Sequence, residues 1–217
     1  MAVIDRARGY IFFHVPKTAG VSIAAALVEQ GGRRIVDEPD LAGPILERKT
    51  VHTGRSNKGL VTHARPWLLR EILGPETYQT LESMAVVRCP WRRLRSVYHY
   101  QRQRPSGRVG PLMSDLINLP LSDFAIALCG REYSPIARLL SDREGTLLVD
   151  TLLRFETLKA DFAAWTERVI GKPVALPWLN KSRGDKGESF NAAAIAVIRE
   201  HFAEDIERFG YSDSPPD

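Results

Sequence analysis

The sequence is poor in cysteine and contains no long apolar segment. Its 217 residues include two cysteines, Cys89 and Cys129, which form no CxxC pair and belong to no set of cysteines and histidines at metal-ligand spacing. We therefore expect neither a disulfide framework nor a structural zinc site. No apolar run approaches the ~18 residues needed to cross a bilayer, and the start, MAVIDRARGY, lacks the apolar stretch of a secretory signal. These absences predict a soluble, cytoplasmic protein.

Acidic residues are missing from one basic segment of the chain. The segment Arg88–Arg108 contains seven arginines and no Asp or Glu, although the net charge of the whole chain is only +4. Without these seven charges the rest of the chain carries about −3, so the basic character is confined to one local patch. A patch of this size suits a compact polyanionic ligand at least as well as a long nucleic acid.

The composition and the order of the predicted elements indicate an α/β fold. With 44% hydrophobic and 26% charged residues, the chain predicts one globular domain over residues 1–217. Predicted strands alternate with helices, which favours a mainly parallel sheet flanked by helices. The strands are predicted at Tyr10–Val15, Leu60–His63, Met84–Arg88 and Thr146–Phe155, the last interrupted near Asp150. The helices are predicted at Ser22–Gln30, Pro66–Leu73, Pro90–Arg104, Ser122–Cys129, Thr157–Ile170 and Asn191–Phe209. The segments Gly31–Asn57 and Pro105–Pro120 are expected to be connections or acceptor-side loops.

The first predicted strand leads into a segment with the chemistry of an anion site. In Y-I-F-F-H-V-P-K-T-A-G-V-S-I, a short loop joins the strand to a helix predicted to begin near Ser22. The first turn of a helix offers unpaired N–H groups and the positive end of the helix dipole, so such a loop can hold phosphate or sulfate oxygens. Lys17 adds a mobile positive charge, and Gly20 lets the backbone approach closely. The hydroxyl groups of Thr18 and Ser22 add further donors.

The residue order in this loop differs from that of a Walker A motif, G-x-x-x-x-G-K-[ST], in which the lysine comes at the end. The order P-K-T-A-G-x-S after a strand instead resembles the 5′-phosphosulfate loop of sulfotransferases that use 3′-phosphoadenosine 5′-phosphosulfate (PAPS). The similarity is to the branch with carbohydrate and heparan-sulfate-type enzymes and many bacterial relatives. It implies that the cofactor is bound by Pro16, Lys17, Thr18, Ala19, Gly20 and Ser22. Val21 stands where the family commonly has a threonine, so we leave it out of the polar site.

A second strand-to-helix segment, S-M-A-V-V-R-C-P-W-R-R-L-R-S, resembles the 3′-phosphate motif of the same family. The resemblance implies that Arg88, at the strand end, and Ser96, eight residues later on the helix, hold the 3′-phosphate. A planar guanidinium matches phosphate oxygens with two N–H bonds, and a serine hydroxyl adds a short directional one.

Other residues of this helix have simpler interpretations. The helical spacing of Trp91, Leu94 and Tyr98 predicts core packing rather than stacking on adenine. Arg93 and Arg95 are expected to be surface charges.

The resemblance continues through L-L-R-F-E-T-L-K-A-D-F, L-P-W-L-N-K-S-R and D-I-E-R-F-G-Y to the end of the chain. In relatives the L-N-K-S-R stretch often lies over the nucleotide, which implies further cofactor contacts from Lys181, Ser182 and Arg183. A solvated basic loop is the alternative for this stretch. Arg154 and Glu156 are expected to be structural partners near a strand end.

The resemblance implies a P-loop-NTPase-like sulfotransferase fold and transfer of a sulfuryl group from PAPS to a hydroxyl acceptor, with a sugar as the preferred class. The product of the cofactor is then adenosine 3′,5′-bisphosphate. Sulfuryl transfer is dominated by positioning and electrostatics, so no metal is required, and Lys17 is expected to stabilise the charge on the leaving phosphate.

A neutral histidine suits the task of taking the acceptor proton near pH 7. Of the five histidines, His63 is the candidate base because it ends a predicted strand, where open α/β sheets bind their ligands. In T-H-A-R-P-W-L-L-R-E-I-L it also precedes a predicted helix, as in the family. A core or surface histidine is the alternative at this position.

Two other functions are compatible with parts of this pattern. A P-loop kinase or other nucleotide phosphotransferase shares the strand, loop and helix, but it needs a Walker lysine and a metal-binding carboxylate after a strand, which the sequence does not show. A non-catalytic nucleic-acid-binding module would use the basic patch, with binding that depends strongly on salt. Because the sequence has no recognised reader motif, we expect no nucleic-acid partner.

Overall fold

The computed structural model describes residues 1–49, 61–103, 115–131, 133–177 and 188–216. Its contacts divide the chain into two compact units. Unit 1 consists of Met1–Val87 and Arg138–Asn180, and unit 2 of Arg88–Ala137 and Lys181–Asp217. Unit 1 contains the sheet, whereas the regular elements described in unit 2 are helices.

The elements are numbered here along the chain. The strands are β1 (Val3–Asp5), β2 (Tyr10–Phe13), β3 (Arg33–Arg34), β4 (Glu82–Val87) and β5 (Thr151–Arg154). The helices are α1 (Gly20–Glu29), α2 (Pro39–Lys49), α3 (Pro66–Leu73), α4 (Pro75–Gln79), α5 (Pro90–Arg102), α6 (Leu121–Cys129), α7 (Ile136–Leu140), α8 (Leu158–Ile170), α9 (Ala192–His201) and α10 (Ala203–Phe209). Within the described ranges, none of these helices is long and apolar enough to cross a membrane.

The five strands form one mixed sheet in the order β3-β1-β2-β4-β5. The pairings of β1 with β2 and with β3 are antiparallel, while β2 with β4 and β4 with β5 are parallel. The α/β class is therefore confirmed, but only two of the four pairings are parallel. Since β2 and β4 are parallel neighbours, their carboxyl ends lie at the same edge of the sheet.

Helices cover both faces of this sheet. Tyr10 and Phe12 share a buried cluster with apolar side chains of α1 and α8, and the Tyr10 ring packs edge-on against Trp165 at 5.3 Å between centroids. Phe13 points to the opposite face because side chains alternate along a strand. Its ring centroid lies 6.4 Å from that of Tyr78 in α4. This two-sided burial explains why β2 reads as a continuous apolar run.

Several predicted elements differ from the structure. The strand predicted at Leu60–His63 is wrong: the backbone is helical at Val61 and Thr62 and turns at His63, and Leu60 lies outside the described residues. A short apolar run does not distinguish a strand from a buried turn, and Val61 is buried without joining the sheet. The segment Gly31–Asn57, expected to be a connection, contains β3 and α2.

The strand predicted over Thr146–Phe155 is shorter in the structure, where β5 spans Thr151–Arg154. The interruption near Asp150 is confirmed, because its carboxylate accepts hydrogen bonds from the backbone N–H and the hydroxyl of Ser83, at 2.8 and 2.6 Å. These bonds anchor the start of β5 beside β4. The last predicted helix is two helices, α9 and α10, which meet at Phe202.

Unit 2 has its own apolar core, formed by α5, α6, α9 and α10. The core includes Trp91, Leu94 and Tyr98 of α5, so the packing role predicted for them is confirmed. Both cysteines are buried in this unit and neither forms a disulfide. Each of the two predicted phosphate motifs therefore has residues packed in the core of its own unit.

Candidate functional site

The segment between β2 and α1, residues 14–19, is the loop predicted to hold an anion. Two of its residues have positive φ, Lys17 at 70° and Ala19 at 61°, and they are the non-glycine residues with positive φ in the part of the chain that the structure describes. A left-handed conformation costs about 1–2 kcal/mol for a residue with a Cβ. Strained backbone of this kind persists where the surrounding structure enforces it, and it is concentrated at binding and catalytic sites.

The loop has an accessible and a buried part. Pro16, Lys17 and Ala19 are half-buried, whereas Thr18 is fully buried. The Thr18 hydroxyl donates a hydrogen bond to the carbonyl of Val15 at 2.9 Å, so its proton is engaged inside the loop. Thr18 thus closes the turn between the strand and the helix, and Lys17 and Ala19 are the positions that an anion can reach.

The amino end of α1 is open to solvent at Val21, whose side chain is 47% exposed. The helix begins at Gly20, two residues before the predicted start, and its first turn contains no acidic side chain. Ser22, in the same turn, is 7% exposed. The helix dipole and Lys17 therefore give this end of the helix a positive character.

The imidazole of His14 occupies the space beside Gly20. A Cβ placed on Gly20 would lie 1.8 Å from Cδ2 of His14, so only glycine leaves room for the ring. Burial lowers the pKa of His14 well below its ordinary value, so the ring is neutral at physiological pH. The sequence predicted that another group approaches the backbone closely at Gly20, and in the structure that group is the imidazole of His14.

His63 lies next to His14, in the turn before α3. Its Nδ1 is 2.8 Å from the backbone carbonyl of His14, and the two ring centroids are 4.6 Å apart. Because a carbonyl oxygen only accepts, Nδ1 carries the proton, and in the neutral ring Nε2 holds the lone pair of a base. His63 is therefore held at the carboxyl end of β2 by a hydrogen bond, although it does not end a strand of its own.

Arg88 and Ser96 belong to unit 2. Arg88 directly follows β4 in the chain, and α5 begins two residues later with Pro90. Both Arg88 and Ser96 are half-buried. Ser96 and the exposed Arg92 are four residues apart, so they share one face of α5. The apolar side chains of α5 face the core of unit 2 instead.

The prediction that Arg93 is a surface charge is wrong. Its side chain is 1% exposed, and its Nη1 donates to the carbonyl of Ser134 at 3.1 Å. Its guanidinium also lies over the ring of Tyr133, 4.5 Å from the centroid. Arg95 is half-buried, with its guanidinium 5.3 Å from the centroid of Phe190. Helical spacing did not reveal these contacts because the residues that contact Arg93 and Arg95 lie in irregular segments outside α5.

The remaining predicted residues divide into two groups. Lys181, Ser182 and Arg183 lie outside the described residues. At the end of β5, the backbone N–H of Arg154 donates to the carboxylate of Asp161 in α8 at 3.0 Å. Arg154 therefore takes part in a structural contact between β5 and α8.

Comparison of the chain with protein-family models, with curated proteins and with solved structures found no match. The function must therefore be inferred from the residues and their geometry.

Proposed function

We propose that this protein is a sulfotransferase that moves a sulfuryl group from PAPS to a hydroxyl acceptor, with sugars as the preferred acceptor class. The observation that carries the proposal is the conformation of the loop before α1. Lys17 and Ala19 are both held at positive φ immediately before the amino end of a helix. Together with the order P-K-T-A-G-x-S, this supports a site built for a sulfate or phosphate group.

The donor set of the loop fits the 5′-phosphosulfate end of PAPS. Lys17 and the positive end of the helix provide positive charge here, and the first turn of the helix contains no acidic side chain. The cofactor supplies the sulfuryl group. We propose that Lys17 binds this end and stabilises the negative charge that grows on the phosphate as transfer proceeds.

The donor set of Arg88 and Ser96 fits the 3′-phosphate. Arg88 lies two residues before α5 and Ser96 lies in the middle of this helix; a guanidinium and a hydroxyl provide charge and direction for phosphate oxygens. We assign to these two residues the distinction between PAPS and adenosine nucleotides that lack a 3′-phosphate. Lys181, Ser182 and Arg183 stay candidates for further cofactor contacts.

His63 is proposed as the general base. Its Nδ1–H is used by the carbonyl of His14, which directs the lone pair of the neutral ring to Nε2. A base that is fixed in one tautomer needs no reorganisation before it takes the proton of the acceptor hydroxyl. His14 has a positioning role, since it supplies the carbonyl and packs against Gly20.

Thermal-shift measurements with three ligands test the cofactor assignment. We expect adenosine 3′,5′-bisphosphate to stabilise the protein in metal-free buffer, because a ligand that binds only the folded state raises the melting temperature. Stabilisation by ATP with magnesium but not by the bisphosphate would favour the phosphotransferase alternative. Stabilisation by short DNA that disappears steeply with salt would favour the nucleic-acid alternative.

Transfer assays with PAPS then test the reaction. Sugar, phenol and lipid acceptors are compared by the formation of adenosine 3′,5′-bisphosphate, with the Lys17→Ala variant as the background. We expect turnover above this background with at least one sugar. Bisphosphate binding together with turnover on a phenol alone would keep the reaction and change the acceptor class.

A further inference from the structure

Tyr133 lies in unit 2, between α6 and α7, and its position is fixed from several sides. The guanidinium of Arg93 covers its ring at 4.5 Å, and the ring of Phe202 packs edge-on at 6.4 Å between centroids. Nε2 of His201 donates to the backbone carbonyl of Tyr133 at 2.8 Å. Both the ring and the backbone are therefore held in place before any ligand binds.

The hydroxyl of Tyr133 is buried and has no hydrogen-bond partner among the residues that the structure describes. The guanidinium of Arg93 lies over the ring and acts on the hydroxyl, but a guanidinium only donates, so it gives the O–H of Tyr133 no acceptor. Leaving a buried donor unbonded costs about 1–3 kcal/mol, and folded proteins rarely do so without a reason. A bound ligand that supplies an acceptor would remove this cost.

The charges around the hydroxyl indicate what the ligand is. Burial raises the pKa of Tyr133, so the hydroxyl is a donor at neutral pH, while the positive charges of Arg93 and Arg88 act on it in the opposite direction. Asp205 is the acidic neighbour. Its two carboxylate oxygens already accept the backbone N–H groups of Ile136 and Ala137, at 2.8 and 2.7 Å. A hydroxyl that can donate, covered by the guanidinium of Arg93 and within the field of the positive charge of Arg88, favours an anionic acceptor.

We propose that Tyr133 is a further binding residue of the 3′-phosphate site, where its hydroxyl donates a hydrogen bond to an oxygen of the phosphate that Arg88 holds. This inference rests on the proposed function, because it assigns a residue to the same cofactor. The hydroxyl of Tyr133 adds a neutral hydrogen-bond donor to the charged donor, the guanidinium of Arg88. The phenol also contributes direction at little entropic cost, since its ring is already fixed.

The test is the Tyr133→Phe variant, which removes one oxygen and keeps the ring. In the unliganded protein we expect an unchanged or higher melting temperature, because the O–H that is lost donated to no acceptor. The Kd for adenosine 3′,5′-bisphosphate should rise roughly tenfold or more, as expected for a hydrogen bond to a charged group. The Kd for AMP, which lacks the 3′-phosphate, should stay unchanged.

Tyr98→Phe is the matched control, because Nη1 of Arg102 donates to the Tyr98 hydroxyl at 2.9 Å. This variant should lower the melting temperature and leave the bisphosphate Kd unchanged.

A large loss of stability in Tyr133→Phe would overturn the inference, since its hydroxyl would then have had a partner in the free protein. An unchanged bisphosphate Kd in Tyr133→Phe, or an equal loss for AMP, would overturn it and leave the proposed function standing. Wild-type protein that does not bind the bisphosphate would instead contradict the proposed function itself.

Discussion

The two predicted phosphate sites are built in different ways. In unit 1, the loop before α1 relies on its backbone, since Lys17 and Ala19 adopt positive φ and the hydroxyl of Thr18 is used inside the loop. In unit 2, the segment that begins at Arg88 relies on side chains: Arg88 lies between β4 and α5, and Ser96 lies on the regular helix α5. The backbone of the first site is strained at its two residues with positive φ, whereas the second site has regular helical backbone.

Because the two sites are built differently, we expect them to have different roles in binding and in the reaction. A preorganised turn at a helix end is suited to a group whose charge changes during the reaction, because fixed dipoles act on the transition state without reorganisation. A guanidinium with neighbouring hydroxyl groups is suited to recognising a phosphate that takes no part in the chemistry. Changes in the loop should therefore alter mainly turnover, and changes beside Arg88 should alter mainly affinity.

The largest effect is expected for Lys17→Ala. Because alanine has a Cβ, it keeps the same backbone penalty at positive φ and removes the rest of the side chain with its ammonium group. Turnover should fall roughly 10²- to 10³-fold, while the Kd for adenosine 3′,5′-bisphosphate changes far less. Steady-state kinetics with PAPS and calorimetry with the bisphosphate measure the two effects, and Lys17→Arg should retain part of the activity. Equal losses in turnover and affinity would make Lys17 a binding residue only.

His63→Ala is expected to lose roughly 10²-fold in turnover, the usual contribution of a positioned base. The fold and the bisphosphate affinity should be retained, and the decline of turnover at acid pH should disappear. His63→Asn is the informative control, because its amide can still donate to the carbonyl of His14 but has no basic nitrogen. Recovery of turnover in His63→Asn would show that His63 has a structural role and is not the general base.

Gly20→Ala should act on the fold and the site together. The new Cβ would overlap the imidazole of His14, so the ring must move away from both Gly20 and His63. Overpacking of this kind costs about 1–3 kcal/mol in the free energy of unfolding. Chemical denaturation measures that loss, and turnover should fall with it because His63 depends on the carbonyl of His14. A variant with wild-type stability and turnover would show that His14 does not position the site.

Ala19→Gly is expected to have the smallest effect. Glycine relieves the cost of positive φ, which is partly offset by the greater freedom of glycine in the unfolded chain, so stability should rise by up to ~1 kcal/mol. Ala25→Gly, in the middle of α1, should instead lower it by about 1 kcal/mol. Denaturation curves of the two variants compare the positions directly. A loss of stability in Ala19→Gly would contradict a strained loop.

The sequence predicted the elements that carry strong local signals. Pro66 and Pro90 marked the starts of α3 and α5, which the structure confirms, because proline is favoured in the first helical turn. The apolar runs of β2 and β4 were recognised since both strands are buried on two faces. The short strands β1 and β3, which add the antiparallel part of the sheet, carry too little pattern to be recognised.

The sequence predicted the site less completely than the fold. It placed His63 at the carboxyl end of a strand, but by way of a strand that does not exist; the observed cause of the position of His63 is a hydrogen bond to a residue 49 positions away. It gave no indication of Tyr133, whose unbonded hydroxyl becomes visible only when burial and contacts are known. Arg93 was misplaced for the same reason, because the groups that bury it come from a distant part of the chain.

Calorimetric titration of AMP and of adenosine 3′,5′-bisphosphate into metal-free protein tests the central claim most directly. We predict that the wild-type protein binds the bisphosphate at least tenfold more tightly than AMP, and that Arg88→Lys loses roughly 1–3 kcal/mol of bisphosphate affinity only. Arg92→Lys, on the exposed face of α5, should behave like the wild type. Equal affinity of the wild-type protein for the two nucleotides would contradict a 3′-phosphate site and with it the assignment of PAPS as the cofactor.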